Sequence, residues 1–341
     1  MRPALLVGLC LPLGLLGGAG SASAQIRWPG HLPADRMAAA DRALDLGESL
    51  SFGASLPEHW LPQGAVLVHG PAPTRAEMRR MAAQHLERAL ILRPDDPHTH
   101  AVAAEVWEQL RDFSRAEHHA RRALALDPRG PDAAGMLFVL AMVHTFAGRH
   151  EAARDAYHTQ LTFPLRDSLA SVVWANLAET FVSLRQLPEA IEAFSRAVSL
   201  DDGYALGWLG LALTRDRHGA SPWPDALRAH EAASAQPTFQ GRRRLPPRPE
   251  LNLEALVQAL YSDGVFFLPP YDRHAYEAIA LESAARALRQ GPHRLDDPAP
   301  AVGYARRALG AWEQYLRGAP PDDPWRDQAT RRARRLREAL P

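Results

Sequence analysis

The stretch that decides the fold is WANLAETFVSLRQLPEAIEAFSRAVSLDD, which runs from Trp174 to Asp202. Its first half places large and small apolar residues on one helical face, at spacings of three and four: Trp174, Leu177, Ala178 and Phe181. Its second half repeats this arrangement with Ala190, Phe194 and Ala197. Small residues that face large ones let two antiparallel helices approach closely. The stretch therefore predicts a helix hairpin, and because one hairpin cannot bury both of its faces, the pattern should recur.

The pattern does recur, with a constant step of 34 residues. The pairs separated by this step are Ala82 and Ala116, Ala89 and Ala123, Pro94 and Pro128, and Trp174 and Trp208. A segment around Ala153 and Tyr157 carries the pattern about three residues late, which indicates a short insertion. Several matches in phase indicate an array of similar hairpins, whereas any single match would carry no information.

A 34-residue period of helix, turn and helix with this residue pattern resembles the tetratricopeptide repeat family. The resemblance covers residues 75–237. It departs from the family pattern at Gln160, where a small residue is usual, and at Arg215, where an aromatic residue is usual. The resemblance implies an all-α fold, a right-handed α-solenoid of tetratricopeptide-like helix hairpins with about five to six repeats.

Composition changes divide the chain into five predicted regions. They are a signal peptide (1–24), an N-terminal lead-in or cap (25–74), the repeats (75–237), an Arg/Pro-rich linker or insertion (238–250), and a divergent C-terminal repeat with a basic capping helix (251–341). In the last region, Tyr276 and Ile279 fit a first-helix pattern, and Trp312 fits its partner helix.

The first residues predict export. Arg2 precedes an apolar run that is too short and too rich in glycine for a membrane span, and small residues end at Ala24, so cleavage before Gln25 is expected. This predicts a periplasmic or secreted protein with no integral membrane span in the mature chain. The alternative is an outer-membrane lipoprotein anchored at Cys10, but Leu9 stands where a small residue is needed.

Charge and residue usage argue against several function classes. The chain has 39 basic and 39 acidic residues, a balance that argues against nucleic acid as the partner. It contains no lysine, which excludes Schiff-base lysine chemistry and a Walker phosphate-binding lysine. There is no Gly-x-Ser-x-Gly motif and no cysteine beyond Cys10. The sequence therefore predicts no catalytic residues and no cofactor.

The 15 histidines offer the main argument for an enzyme. One residue separates His98 from His100, and His118 and His119 are adjacent. Two metal ligands on one helix need a spacing of three or four residues, so that both side chains lie on the same face. No metal site is predicted, and these histidines are expected to be solvated or to cap helices. A histidine-dependent metalloenzyme is the alternative.

The arginine-rich C-terminal run is predicted to be a solvated capping face. Its residues are Arg331, Arg332, Arg334, Arg335 and Arg337. The alternative is contact with anionic lipid or nucleic acid.

The family resemblance also implies a binding surface. In such repeats, side chains offset from the packing residues point into a concave groove that binds peptides or helices. The matching positions here, called the groove residues below, are Glu105, Glu108, Gln109, Phe138, Met142, Phe146, Glu179, Val182, Asp216 and Arg217. Apolar residues flanked by acids suit a partner with aliphatic anchors and basic residues, although Phe138 and Met142 fit a core role equally well.

The function predicted from the sequence is a non-enzymatic protein–protein interaction scaffold or adaptor of the bacterial cell envelope. A protein or peptide in the groove is its partner. The alternative is a lipid-anchored factor that assembles outer-membrane proteins.

Overall fold

The computed structural model describes residues 24–27, 43–45, 66–69, 74–235, 239–240, 243–244, 252–262, 265–290 and 292–341. The predicted signal peptide up to residue 23, most of the lead-in, and residues 245–250 of the predicted linker lie outside the described residues. The region boundaries proposed from the sequence there stay predictions.

Helices account for most of the described chain. They are α1 (Arg75–Leu92), α2 (Pro97–Gln109), α3 (Phe113–Leu126), α4 (Ala133–Phe146), α5 (His150–Gln160), α6 (Asp167–Ser183), α7 (Leu187–Leu200), α8 (Ala205–Arg217), α9 (Trp223–Ala235), α10 (Leu253–Ala259), α11 (Arg273–Arg289), α12 (Ala299–Gly318) and α13 (Arg326–Ala339). A single 3₁₀ turn, Pro270–Asp272, precedes α11.

Two short antiparallel ribbons accompany the helices. Strand β1 (Ala24–Arg27) pairs with β2 (Val66–His69), and β3 (Phe239–Gln240) pairs with β4 (Arg243–Arg244). The all-α fold class predicted from the sequence is confirmed, with these ribbons outside the helix hairpins.

The described residues fall into two compact units, with the boundary between Val143 and His144, inside α4. In the N-terminal unit, α1 packs on α2, and α2 forms a hairpin with α3. The small residues of the 34-residue period lie inside these contacts, because Ala82, Ala116 and Ala123 are at most 3% exposed. Side chains cap the N-termini of the first two helices. Thr74 caps α1, and the Asp96 carboxylate accepts a hydrogen bond from the Thr99 N–H at the start of α2.

The turns that follow α2, α4, α6 and α8 have the same backbone shape. The second residue after the helix has a positive φ in every case: Arg111 (63°), Gly148 (70°), Arg185 (67°) and Gly219 (89°). In each turn, the next residue donates its N–H to a carbonyl five positions back, as Gln186 does to Phe181 at 2.9 Å. This is a standard way to end a helix with a left-handed residue. The repeat is therefore visible in the backbone as well as in the spacing of alanines.

The core of the C-terminal unit depends on close approach between helices. Phe194 on α7 is fully buried, and a Cβ added at Gly210 on α8 would lie 2.4 Å from its ring. Ala178 and Ala190 are also fully buried, where α6 and α7 form their hairpin. The prediction from residues 174–202 that small residues pack against large ones is confirmed in this hairpin.

The series of hairpins continues beyond α7. α8 pairs with α9 at the end of the predicted repeats, and in the divergent C-terminal region α11 pairs with α12 and α13 packs on α12. Tyr276, Ile279 and Trp312 are at most 3% exposed, in the helices where the sequence pattern placed them. The segment between α9 and α11 interrupts the period, and it carries the ribbon β3–β4, helix α10 and the apolar residues that precede α11.

Candidate functional site

The groove residues divide into two groups by exposure. Those that are buried, at 8% exposure or less, are Glu108, Met142, Glu179, Val182, Asp216 and Arg217. Those that are half-buried are Glu105, Gln109, Phe138 and Phe146. The expectation that all ten line an open surface is therefore wrong for the buried group, whereas their part in binding stays a prediction.

In the C-terminal unit, the buried Glu179 of α6 has a partner from far along the chain. The Tyr276 hydroxyl on α11 donates a hydrogen bond to Glu179 Oε1 at 2.5 Å. Burial raises the pKa of the Glu179 carboxyl well above its usual range, and the bond from Tyr276 opposes this shift. Burial likewise raises the pKa of the Tyr276 hydroxyl. Both groups are therefore favoured in their neutral forms.

Arg217, at the end of α8, is held by an ion pair and by an aromatic ring. Its guanidinium donates to Asp272 Oδ1 at 2.5 Å, and both side chains are at most 8% exposed. The same guanidinium lies 5.1 Å from the ring centre of Trp325, and Arg185 approaches this ring at 5.0 Å. Trp325 immediately precedes α13, so residues flanking α11 and α13 cover the end of α8 together.

Asp216 is bound by α13 directly. Gln328 donates to Asp216 Oδ2 at 2.8 Å, and Arg332 donates to both oxygens of this carboxylate. Arg332 also pairs with Glu282 on α11 at 3.0 Å. Arg332 is therefore buried, which corrects the prediction that the whole arginine-rich run is solvated. Arg331, Arg334, Arg335 and Arg337 are exposed as predicted.

Phe146, the remaining groove residue of this unit with a described aromatic contact, meets the segment between α10 and α11. Its ring lies edge-on to Phe266, with ring centres 6.2 Å apart. The next residue, Phe267, is 4% exposed and contacts the Tyr276 ring. Residues 265–276 and α13 of this chain therefore contact the side chains of the groove residues Phe146, Glu179, Asp216 and Arg217.

Sequence reasoning missed Tyr276, Asp272 and Arg332 as partners of these positions. Each lies in or beyond the segment that breaks the 34-residue period, so the period carries no information about what they face. The only available signal was chemical, namely acidic and basic residues at positions that the repeat pattern assigns to neither the core nor a helix cap.

The cluster around Glu179 has the composition of a catalytic site, because an acid with a raised pKa lies near a tyrosine and an arginine. Glu179, Tyr276, Arg217 and Asp272 are each at most 8% exposed. A substrate has no access to these groups in this structure. The arrangement supports a structural role, in which charges and hydroxyls fix the C-terminal helices on α6 and α8.

In the N-terminal unit, three groove residues remain partly accessible. Glu105 and Gln109 lie one turn apart on α2, and Phe138 lies on α4. Gly135, one turn before Phe138, faces Glu105, because a Cβ added there would lie 3.6 Å from Glu105 Oε1. α2 and α4 therefore present an acidic and an aromatic side chain on neighbouring helices.

The histidine pairs do not behave as the sequence suggested. His98 is half exposed and bonds Asp132 at 2.8 Å, but His100 and His119 are buried and bond each other. The prediction that these four histidines are all solvated or capping is therefore wrong for His100 and His119. No group of three or more His, Cys, Asp or Glu side chains suited to a metal ion occurs among the described residues.

In the part of the chain that the structure describes, no helix is both long enough and apolar enough to cross a lipid bilayer.

Comparison with known proteins identifies one repeat by sequence. Residues 172–204, which contain most of α6 and all of α7, match the family model of the tetratricopeptide repeat. No curated protein sequence matches this chain.

Several solved structures are similar in helical architecture. Pseudomonas aeruginosa pilF has 16% identity and a TM-score of 0.47, over 87% of this chain and 99% of its own. MamA has 16% identity and a TM-score of 0.42, over 46% of this chain and 88% of its own. YrrB, described as a tetratricopeptide repeat protein with an unusual peptide-binding site, has 16% identity and a TM-score of 0.41, over 73% of this chain and 99% of its own.

Proposed function

We propose that this chain, in which residues 172–204 match the tetratricopeptide repeat model, is a non-enzymatic scaffold that binds a protein or peptide partner through α2 and α4. The observation that carries this proposal is the difference between the two units. Glu179, Asp216 and Arg217 of the C-terminal unit are at most 8% exposed, whereas Glu105, Gln109 and Phe138 of the N-terminal unit are half-buried and in part reach solvent.

The chemistry of this surface suggests the kind of partner. Glu105 on α2 provides a carboxylate and Phe138 on α4 provides an aromatic ring, on neighbouring helices that approach each other at Glu105 and Gly135. A helix or extended peptide with a basic residue close to an apolar anchor would complement both features. Met142 is fully buried, so it belongs to the packing of the unit, and replacing it would test stability instead of binding.

Binding is tested by crosslinking the purified full chain to bacterial envelope extracts and identifying what is captured. We expect Glu105→Arg and Phe138→Ser to abolish capture of one specific protein. Glu192→Arg makes the same charge change on an exposed part of α7 and should leave capture intact. If all three variants capture that protein as the parent chain does, this surface is not the binding site.

We further propose that the protein works in the cell envelope, on the basis of the N-terminal sequence. Mass spectrometry of the exported protein should find a chain that begins at Gln25, and Cys10→Ser should not change it. A lipid-modified form that disappears in Cys10→Ser would instead establish the lipid-anchored alternative.

A further inference from the structure

A cavity of about 140 Å³ lies at one end of the α2–α3 hairpin, where α4 begins. Its lining residues come from the first turn of α2, the last turn of α3, the loop 127–132 and the first turn of α4. All of them belong to the N-terminal unit. None of Glu105, Gln109 and Phe138 lines this cavity, so a ligand can occupy it whether or not a partner binds those residues.

The inner wall of the cavity is apolar. Ala123, Ala133 and Met136 line it and are at most 3% exposed. Pro97 and Pro131 complete the apolar lining, and their rings fix the backbone angle φ on both sides of the cavity. An engineered cavity of about 150 Å³ accepts benzene, so this one has room for an apolar side chain up to about the size of phenylalanine.

The outer edge of the cavity carries two carboxylates. Asp132 accepts a hydrogen bond from His98 Nδ1 at 2.8 Å, and these side chains are 33% and 49% exposed. Asp127 is exposed, and its carboxylate has no hydrogen-bond or ion-pair partner among the described residues. A Cβ added at Gly130 would overlap this carboxylate, so glycine leaves room for it beside the cavity.

The charge at the outer edge is negative. Asp127, Asp132 and His98 are the only ionisable residues that line the cavity. At neutral pH two carboxylates outweigh one imidazole, whether or not the imidazole holds a second proton. The cavity therefore combines an apolar interior with an outer edge that attracts a cation.

The order of these two features restricts the ligand. A lysine or arginine side chain carries its charge at the tip, and on entering it would bring that charge against the apolar inner wall, where a buried charge without a partner is costly. An α-amino group, in contrast, is bonded to the same carbon atom as its own side chain. The first residue of a polypeptide can therefore place an apolar side chain inside and its ammonium group outside.

We propose that the cavity binds the free N-terminus of a partner polypeptide whose first residue is leucine, methionine or phenylalanine. The side chain contacts Ala123 and Met136, and the ammonium group donates charge-assisted hydrogen bonds to Asp127 and Asp132. An α-amino group has a pKa of about 7.7–8.0, so most of it is charged at pH 7. Tryptophan is too large for the cavity, and an acidic first residue is repelled by both carboxylates.

The experiment is calorimetric titration of the purified full chain at about pH 7 with the synthetic peptide amide Leu-Gly-Gly-Ser-Gly. N-acetylation removes the charge and keeps the side chain, and we expect it to weaken binding tenfold or more. Replacing the leucine by glycine removes the apolar group and should weaken binding to a similar extent. Equal binding of the free and the acetylated peptide would overturn the proposal. So would tighter binding of isopentylamine than of the peptide, because a small amine would then be the ligand.

Variants of the chain locate the binding. Asp127→Asn removes an exposed charge at the cavity and should weaken binding of the leucine peptide about threefold. Asp95→Asn is the matched control, because this exposed carboxylate pairs with Arg122 and does not line the cavity. Phe138→Ser should also leave peptide binding unchanged, so a failure of this site and a failure of the proposed groove are distinguishable.

A substitution that fills the cavity tests its interior. Ala133→Leu adds an apolar side chain to the lining and should abolish binding of the leucine peptide. Circular dichroism checks that this variant is folded, and if it is not, the acetylated peptide and Asp127→Asn decide. Unchanged affinity in a folded Ala133→Leu variant, or in Asp127→Asn, would show that the peptide binds elsewhere.

Discussion

The Tyr276 hydroxyl lies 2.5 Å from the Glu179 carboxylate, although the two residues are 97 positions apart. The contact skips a whole hairpin, because α8 and α9 lie between α6 and α11 in the sequence. Glu179 Oε2 has no hydrogen-bond partner among the described residues. Among the described residues, the Tyr276 hydroxyl is therefore the hydrogen-bond partner of the Glu179 carboxyl. Four predictions test this contact and the packing of the C-terminal unit.

Replacing Tyr276 by Phe keeps the buried ring and removes the only donor to Glu179. We expect the free energy of unfolding to fall by about 1–3 kcal/mol, because a buried acceptor loses its hydrogen bond. Urea denaturation measures this change. Tyr261→Phe is the matched control: its hydroxyl bonds Glu277 at 2.7 Å on an exposed site, so less than about 0.5 kcal/mol is expected. Equal losses in the two variants would show that burial of Glu179 is not what makes the contact important.

Replacing Glu179 by Gln should change how stability depends on pH. Burial raises the pKa of Glu179 in the folded protein, so above about pH 4.5 the unfolded chain releases this proton while the folded chain holds it. The contribution of Glu179 to the stability of the parent protein therefore falls as the pH rises from there. Gln stays neutral, so the variant should match the parent near pH 4 and exceed it near pH 8, by about 1.4 kcal/mol for each unit by which folding raises the pKa of Glu179.

Thermal or urea unfolding across this pH range tests the expectation. Glu313→Gln, which removes an exposed carboxylate, serves as the control and should follow the parent at all pH values. A Glu179→Gln variant that is less stable than the parent at pH 8 would mean that Glu179 is ionised in the fold.

Replacing Asp272 by Asn should be strongly destabilising. It leaves the Arg217 guanidinium charged and buried without its carboxylate, a change that usually costs about 3–5 kcal/mol. The exposed pair of Glu313 and Arg337 provides the comparison, since Glu313→Gln should cost at most about 1 kcal/mol. Chemical denaturation of both variants decides the matter, and similar small costs would indicate that water reaches Arg217.

Two glycines in helices should respond to alanine in opposite directions. Gly210→Ala places a methyl group 2.4 Å from the buried Phe194 ring, and overpacking of this kind costs about 1–3 kcal/mol. Gly303 on α12 has nothing within 4 Å of an added Cβ, so Gly303→Ala should stabilise the protein by about 0.5–1 kcal/mol. Thermal midpoints that move in the same direction would mean that α7 and α8 are not packed as described.

The sequence was sufficient for the repeat, because a repeat is a regularity in spacing. Ala178 and Ala190 were assigned to a helix contact from their positions alone, and they are fully buried. Met142 shows the limit of such reasoning. An apolar residue next to a packing face has the same sequence pattern whether or not another element covers it, and Met142 is completely covered.

The candidate site was harder to predict than the fold. His100 and His119 are 19 positions apart, and each lies within two residues of another histidine, so the sequence pattern did not show that these two bond each other. Their contact depends on how α2 packs on α3, and this packing is known only from the three-dimensional structure. The contact between Tyr276 and Glu179 was harder still to predict. The segment between α9 and α11 has no 34-residue period, so the sequence does not indicate which face of α11 packs on α6.

The contacts that skip a hairpin also determine how this unit can fold. In a simple repeat array each hairpin touches only its neighbours, so units can form one after another along the chain. Tyr276 bonds Glu179 across 97 positions, and Arg332 bonds Asp216 across 116. Contacts of such high sequence separation slow folding and link distant segments into one transition. A chain that has been synthesised only as far as α9 therefore has Glu179, Asp216 and Arg217 in place without their partners, and the C-terminal unit gains its full cooperativity only when α13 arrives.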